Sequence, residues 1–205
     1  MDNPKKKVKI AMTGKYMELK DSYASIEEAF MHCSGELGVD VEIKWIETTD
    51  IENGEKSVAE VLSDVNGILV PGGFGKRGTE GKIECIKYAR ENNIPFLGLC
   101  YGLQLAVVEF ARNIADLKDA NSTEINPDTS HPVVAEMPEQ KDIENLGGTM
   151  RLGGYKAVLN ENSKVASLYG KTKVSERHRH RYEVNNNYIE KLENSGLVFS
   201  GKSPQ

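Results

Sequence analysis

The chain has 205 residues, 39% of them hydrophobic and 28% charged, enough to bury a sizeable core within a single domain. A formal net charge of -5 leaves no basic footprint for nucleic acid or an anionic membrane, and Lys5-Lys6-Lys7 leads into the alternating Val8-Lys9-Ile10 rather than an apolar run suited to export or membrane insertion. Cys33, Cys85 and Cys100 show no CxxC spacing and cannot all pair with one another, so neither a disulfide framework nor a metal site is expected, and the composition suits a reducing cytoplasm.

In chain order, Val8 to Met12 reads as a first strand. From Ser25 to Leu37, the residues Ile26, Phe30, Cys33 and Leu37 recur at helical spacing and predict an amphipathic core helix. Val39, Val41, Ile43 and Trp45 alternate as a second strand; Gly67 to Val70 is a short apolar third, and Ile94 to Leu99 a fourth. A helix marked by Ile83, Ile86 and Ala89 or Arg90 separates the last two, and Leu103, Ala106, Val107, Phe110 and Ile114 share the face of another. Beyond Asn113 the pattern weakens into polar stretches with Pro127, Pro132, Pro138 and the pairs Gly147-Gly148 and Gly153-Gly154, which read as loops and short strands of the same domain. Strands alternating with helices predict an α/β fold, an open, mostly parallel sheet with helices on both faces, whose ligands sit at the carboxyl ends of the strands. The chemistry is therefore expected just after Val70 and Leu99.

Cys100 stands at the second of these points, between Gly98 and Gly102, in a G-x-C-x-G arrangement that is the thiol counterpart of a nucleophile elbow. Small neighbours permit the sharp strained turn, and a helix N-terminus beside the sulfur favours the thiolate over that of a free cysteine with pKa of about 8.5. The competing reading is an inert buried cysteine, which is how Cys33 and Cys85, inside helices, are read. Val70-Pro71-Gly72-Gly73-Phe74-Gly75 follows the third strand and is either a plain tight turn or one whose N–H groups meet a ligand. In the second case the N–H of Gly73, paired with that of Tyr101, forms an oxyanion hole, and the chemistry is acyl transfer through a thioester.

These two segments resemble the P-G-G-x-G loop and G-x-C-x-G-x-Q elbow of the class I (triad) glutamine amidotransferases, with their flavodoxin-like core. Five further stretches narrow the resemblance to the glutaminase domains of CTP synthases: Gly14-Lys15-Tyr16 with Asp21-Ser22-Tyr23-Ala24-Ser25, Gly72 to Gly75 with Arg77-Gly78, Asn121-Ser122-Thr123-Glu124, Leu146 to Gly153, and Glu176 to Asn185. The resemblance implies Cys100 as nucleophile, Gly73 and Tyr101 as oxyanion donors, and Gly102, Leu103, Gln104, Glu124 and Arg181 in the L-glutamine pocket. Glu124 suits the substrate's ammonium and Arg181 its carboxylate. It places His178 and His180 in the pocket loop, and Arg77 to Gly81 in a loop linked to GTP activation. It also implies a synthetase domain as partner, which with ATP and magnesium aminates UTP to CTP, no cofactor within residues 1–205, and an oligomer only for the full-length enzyme.

The sequence departs from the family pattern in two ways. Tyr101 stands where leucine is more familiar; its backbone N–H is unaffected, and its substituent is expected to alter access to the pocket. The family's base and orienting acid lie in an H-P-E segment on a later strand, and these 205 residues contain none: His131 precedes Pro132 but is followed by Val133. The expectation is a catalytically incomplete glutaminase domain. Its rivals are a glutamine-binding or regulatory module without turnover, and another elbow-cysteine hydrolase of the DJ-1 and PfpI type.

Overall fold

β1 (Lys6–Gly14) pairs in parallel with β2 (Val39–Glu47) on one side and β3 (Gly67–Val70) on the other, and β3 pairs in parallel with β4 (Phe96–Gly98), giving the order β2-β1-β3-β4. The computed structural model describes residues 6–15, 20–136 and 151–204, and the chain divides into two compact units, 1–109 and 110–205. In the first unit α1 (Ala24–Leu37), α2 (Thr48–Glu52), α3 (Val58–Leu62) and α4 (Thr79–Glu91) connect the strands; α5 (Tyr101–Asn113) begins after β4 and ends in the second unit.

Alternation along the strands sends neighbouring side chains to opposite faces, so the sheet needs two cores. On one face Ala11, Ile46 and Ile68 join Ile51 of α2, Leu62 of α3 and Cys85 and Ala89 of α4. On the other, Met12 and Leu69 pack with Ile10, Ile43 and Trp45, and with Tyr23, Ile26 and Phe30 at the start of α1. This is the open parallel sheet, covered on both faces, that the alternation of elements predicts.

Local chemistry sets the helix ends. Glu47 accepts from the N–H of Thr49 at the head of α2, Ser57 accepts from Glu60 at the head of α3, and Gly38, at φ 64°, ends α1 in the left-handed conformation that glycine adopts freely. The apolar stripe of α1 is not a core face throughout. Cys33 is exposed and Leu37 is 70% exposed, because the cluster beneath the helix reaches only its first two turns.

Among the described residues, the second unit holds two three-stranded sheets. β5 (Ala120–Ser122) pairs in parallel with β6 (His131–Glu136), which pairs antiparallel with β9 (Tyr182–Val184). β7 (Arg151–Leu159) and β8 (Lys173–His180) form a long antiparallel pair from Arg151↔His180 to Val158↔Lys173, and β10 (Gly201–Lys202) flanks β7. α6 (Lys164–Tyr169) lies between β7 and β8 in sequence, and α7 (Ile189–Asn194) follows β9. The region expected to be loops and short strands thus contains strands of 9 and 8 residues. The family segment from Leu146 to Met150, and Pro138, lie outside the described residues.

Candidate active site

The turn after β4 is built by close backbone contact. Leu99 still donates to the carbonyl of Val70 at 2.9 Å, so the chain follows β3 until one residue before Cys100. Cys100 then takes φ 53°, the left-handed region, at a cost of about 1–2 kcal/mol for a residue with a side chain. The Gly102 N–H bonds to the Leu99 carbonyl at 2.9 Å across the turn, and the Gln104 N–H bonds to the Cys100 carbonyl at 3.2 Å as α5 begins. A Cβ on Gly98 would lie 2.5 Å from the Gly102 carbonyl carbon, and one on Gly102 would lie 2.2 Å from the Val70 oxygen. Both neighbours are backbone, so glycine is required at each position. The turn leaves Cys100 exposed, whereas Cys85 is buried and its burial pushes the thiol up to about 12.

The glycine-rich loop lies against this turn. A Cβ on Gly72 would fall 3.5 Å from the Cβ of Cys100 and 4.0 Å from its Sγ, while the Cβ position of Gly73 is open. Downstream, the loop is fixed through its carbonyls: Lys15 Nζ donates to Phe74 at 2.6 Å, and Thr79 Oγ1 and the Tyr101 hydroxyl donate to Gly75 at 3.1 and 3.0 Å. Glu52 accepts from the N–H groups of Gly78 and Glu80, which holds the head of α4 to α2. Gly72, Lys15 and Thr79 fall within stretches that the resemblance picked out, but the sequence assigned none of them an individual role.

The remaining elbow residues divide by exposure. Leu103 is 54% exposed beside Cys100, and Gly102 and Gln104 are buried. Tyr101 does not line an access path as its substitution for leucine suggested. Its side chain is 1% exposed, reaching Gly75 and Thr79 with its hydroxyl while Lys82 Nζ sits 5.1 Å from its ring centroid.

Glu124 and Arg181 belong to the second unit. Arg181 directs Nε and Nη2 at Glu136 Oε1, each at 2.7 Å, and this carboxylate raises its already high pKa further. Glu124 is close enough for its charge to act on Arg181 and on Tyr182, whose phenol burial also shifts upward. The structure therefore gathers Glu124, Glu136, Arg181 and Tyr182, and Glu136 is a member the sequence did not reveal. His178 and His180 share a hydrogen bond between their Nδ1 atoms at 3.3 Å, and with Glu183 they form a cluster able to offer ligand atoms within 4.8 Å of one another. Arg177, Arg179 and Arg181 alternate with the two histidines along the same stretch of sequence.

These features are a strained cysteine at a helix N-terminus, a glycine-rich loop beside it, and a carboxylate–guanidinium group in the second unit. The family model described as Glutamine amidotransferase class-I matches residues 18–205. The chain belongs to that family. Among curated relatives it is 57% identical over 201 residues to the CTP synthase of Saccharolobus solfataricus, covering 98% of this chain and 38% of that protein. It is 58% identical over 196 residues to the CTP synthase of Thermococcus gammatolerans, covering 96% and 36%. The glutaminase domain of Trypanosoma brucei CTPS with bound acivicin matches with a TM-score of 0.86 and 40% identity, over 95% of this chain and 74% of that one. The chain thus spans little more than a third of the length of the curated relatives it matches.

Proposed function

We propose that this chain is the glutaminase part of a CTP synthase, in which Cys100 takes the amide nitrogen from L-glutamine as ammonia. The Cys100 thiolate adds to the carboxamide carbon, and the resulting oxyanion is received by the N–H groups of Gly73 and Tyr101. Collapse of this intermediate breaks the C–N bond as the nitrogen gains a proton, leaving a thioester. Water then breaks the C–S bond, releasing glutamate and restoring the thiol. Arg181 receives the α-carboxylate and Glu124 the α-ammonium. Ammonia passes to a synthetase domain that uses ATP and magnesium to aminate UTP, while the glutaminase half uses protein groups alone.

The observation that carries this reading is the left-handed Cys100 at the head of α5, with Gly72 against it. A glutamine-like diazo-ketone is the test, with labelled peptides mapped by mass spectrometry. Cys100 should be modified at least about tenfold faster than Cys33, although both thiols are exposed, because only Cys100 has a helix N-terminus beside it. Cys85, buried with a raised pKa, should not react. Equal labelling of Cys33 and Cys100 would remove the special role of the elbow.

The proton supplied to departing nitrogen calls for a base and acid that these 205 residues do not provide as an H-P-E segment. Against another elbow-cysteine hydrolase stands the joint presence of Glu124 and Arg181, which suit the two charged ends of an amino acid.

A further inference from the structure

The Tyr101 side chain is a buried polar group that the reaction above leaves without a task. Its hydroxyl, the hydroxyl of Thr79 and the carbonyl of Gly75 lie within 2.9 to 3.1 Å of one another. Two hydroxyl protons serve these three contacts, so whichever way they point, the Gly75 carbonyl accepts at least one of them. Burial makes that bond costly to leave unmade.

Gly75 lies three residues after Gly72, whose backbone borders Cys100, and it turns the loop at φ 80°, a conformation that favours glycine. Fixing its carbonyl fixes the Gly75–Lys76 peptide plane, just beyond the short Gly72-Gly73-Phe74 stretch. Lys15 holds the preceding carbonyl, that of Phe74, at 2.6 Å. The residue directly after the nucleophile therefore reaches back to the loop that faces the nucleophile. A leucine could fill the volume, but it has no donor for the carbonyl.

We infer that Tyr101 is a positioning residue: its phenol latches the glycine-rich loop to the elbow, so that the Gly73 N–H and the Tyr101 N–H are held at a fixed separation for the oxyanion. This rests on the glutaminase reading. The latch acts on the loop and not on the thiol, and a misaligned donor is felt where charge develops in the transition state, not in the bound substrate.

The test compares the full-length protein with its Tyr101→Phe variant, which keeps the ring and the backbone N–H. Expected is a fall in kcat for glutamate release of about 10- to 100-fold with KM within about threefold. Amide hydrogen exchange in residues 72–79 should quicken by at least about threefold. Alkylation of Cys100 by iodoacetamide, which forms no oxyanion, should stay within about twofold of wild type. A kcat within twofold of wild type, unaltered loop exchange, or a matching fall in alkylation would each overturn the inference. Should Tyr101→Phe fail to fold, Thr79→Val removes the other hydroxyl and Thr79→Ser retains it: loss in the first with recovery in the second supports the latch, and wild-type kcat in both refutes it. A wild-type protein with no Cys100-dependent glutamate release defeats the glutaminase reading, and loop exchange alone then decides the latch.

Discussion

At Arg181 a carboxylate of the protein occupies the guanidinium where the proposed reaction places a carboxylate of the substrate. Glu136 then competes with glutamine for Arg181, and Glu136→Gln, which removes the charge but keeps the shape, should lower the KM for glutamine about three- to tenfold. Arg181→Ala should weaken binding by about 1.5–3 kcal/mol, the range for a charged hydrogen bond. Steady-state kinetics of the two variants decide the matter; an unchanged or higher KM in Glu136→Gln would show that Glu136 orients Arg181 instead of competing for it. Lys82 offers a second measurement at this scale. It is 2% exposed, and burial foremost, with the charge of Lys15, lowers its ammonium to about 8 against the pull of Glu47 and Glu52. Below that value the folded protein carries the full cost of the buried charge. As pH rises from 8 towards the unfolded value of 10.5, the folded chain has lost a proton that the unfolded chain still holds, so stability rises across this window. Lys82→Met should stabilise the fold at pH 7 by roughly 1–3 kcal/mol and flatten that rise. Urea unfolding at pH 7 and pH 10 reads both effects, and a variant no more stable than wild type at pH 7 contradicts them.

The elbow and the loop are two short elements whose shape depends on missing side chains. Replacing a helical glycine by alanine ordinarily stabilises a helix by about 1 kcal/mol. At Gly102 the sign should reverse, because the new Cβ would meet the Val70 oxygen at 2.2 Å and neither backbone can yield without parting β3 from α5. Gly102→Ala should cost about 3 kcal/mol or more, whereas Gly73→Ala, with open space at the Cβ position, should leave the melting temperature within about 2 °C of wild type. Equal melting temperatures for Gly102→Ala and wild type would mean the strand-to-helix crossing is looser than described. The same elements show where periodicity was informative. α4 and α5, at 13 residues each, expose a repeating apolar face in the sequence, but α2 and α3 have five residues each, too few to repeat. β8 was hidden for a different reason: after Val174 it reads Ser-Glu-Arg-His-Arg-His, with no apolar alternation, and it forms through its ladder with β7.

For the whole molecule, the proposed reaction calls for a base, and residues 1–205 contain no H-P-E segment to carry it. General acid–base assistance is worth about 10² to 10⁴-fold, and triad members act as a unit, so loss of one is felt as loss of the set. Glutamate release by the 205 residues alone should fall at least about 10²-fold below that of a form extended through an H-P-E strand, each measured beside its Cys100→Ala control. Comparable Cys100-dependent rates would assign the base to a residue within the chain, with His178 and His180 the first to test.

Residues with local consequences were legible from the sequence: the alternating strands, the longer helices, and the G-x-C-x-G spacing, whose Gly98 must clear the backbone of Gly102 just beyond it, although the need for glycine at Gly102 comes from Val70 on the distant β3. The resemblance to class I amidotransferases likewise rests on contiguous motifs. Tertiary structure alone decided the rest. Cys33 is exposed because the core beneath α1 ends early, and Glu136 meets Arg181 across 45 residues of chain. Tyr101, expected from its departure from the family pattern to alter access to the pocket, turns inward because a carbonyl 26 residues earlier in the chain is brought within reach of its hydroxyl. Such contacts are set by which strands lie side by side, and the spacing of residues along one segment does not encode that order.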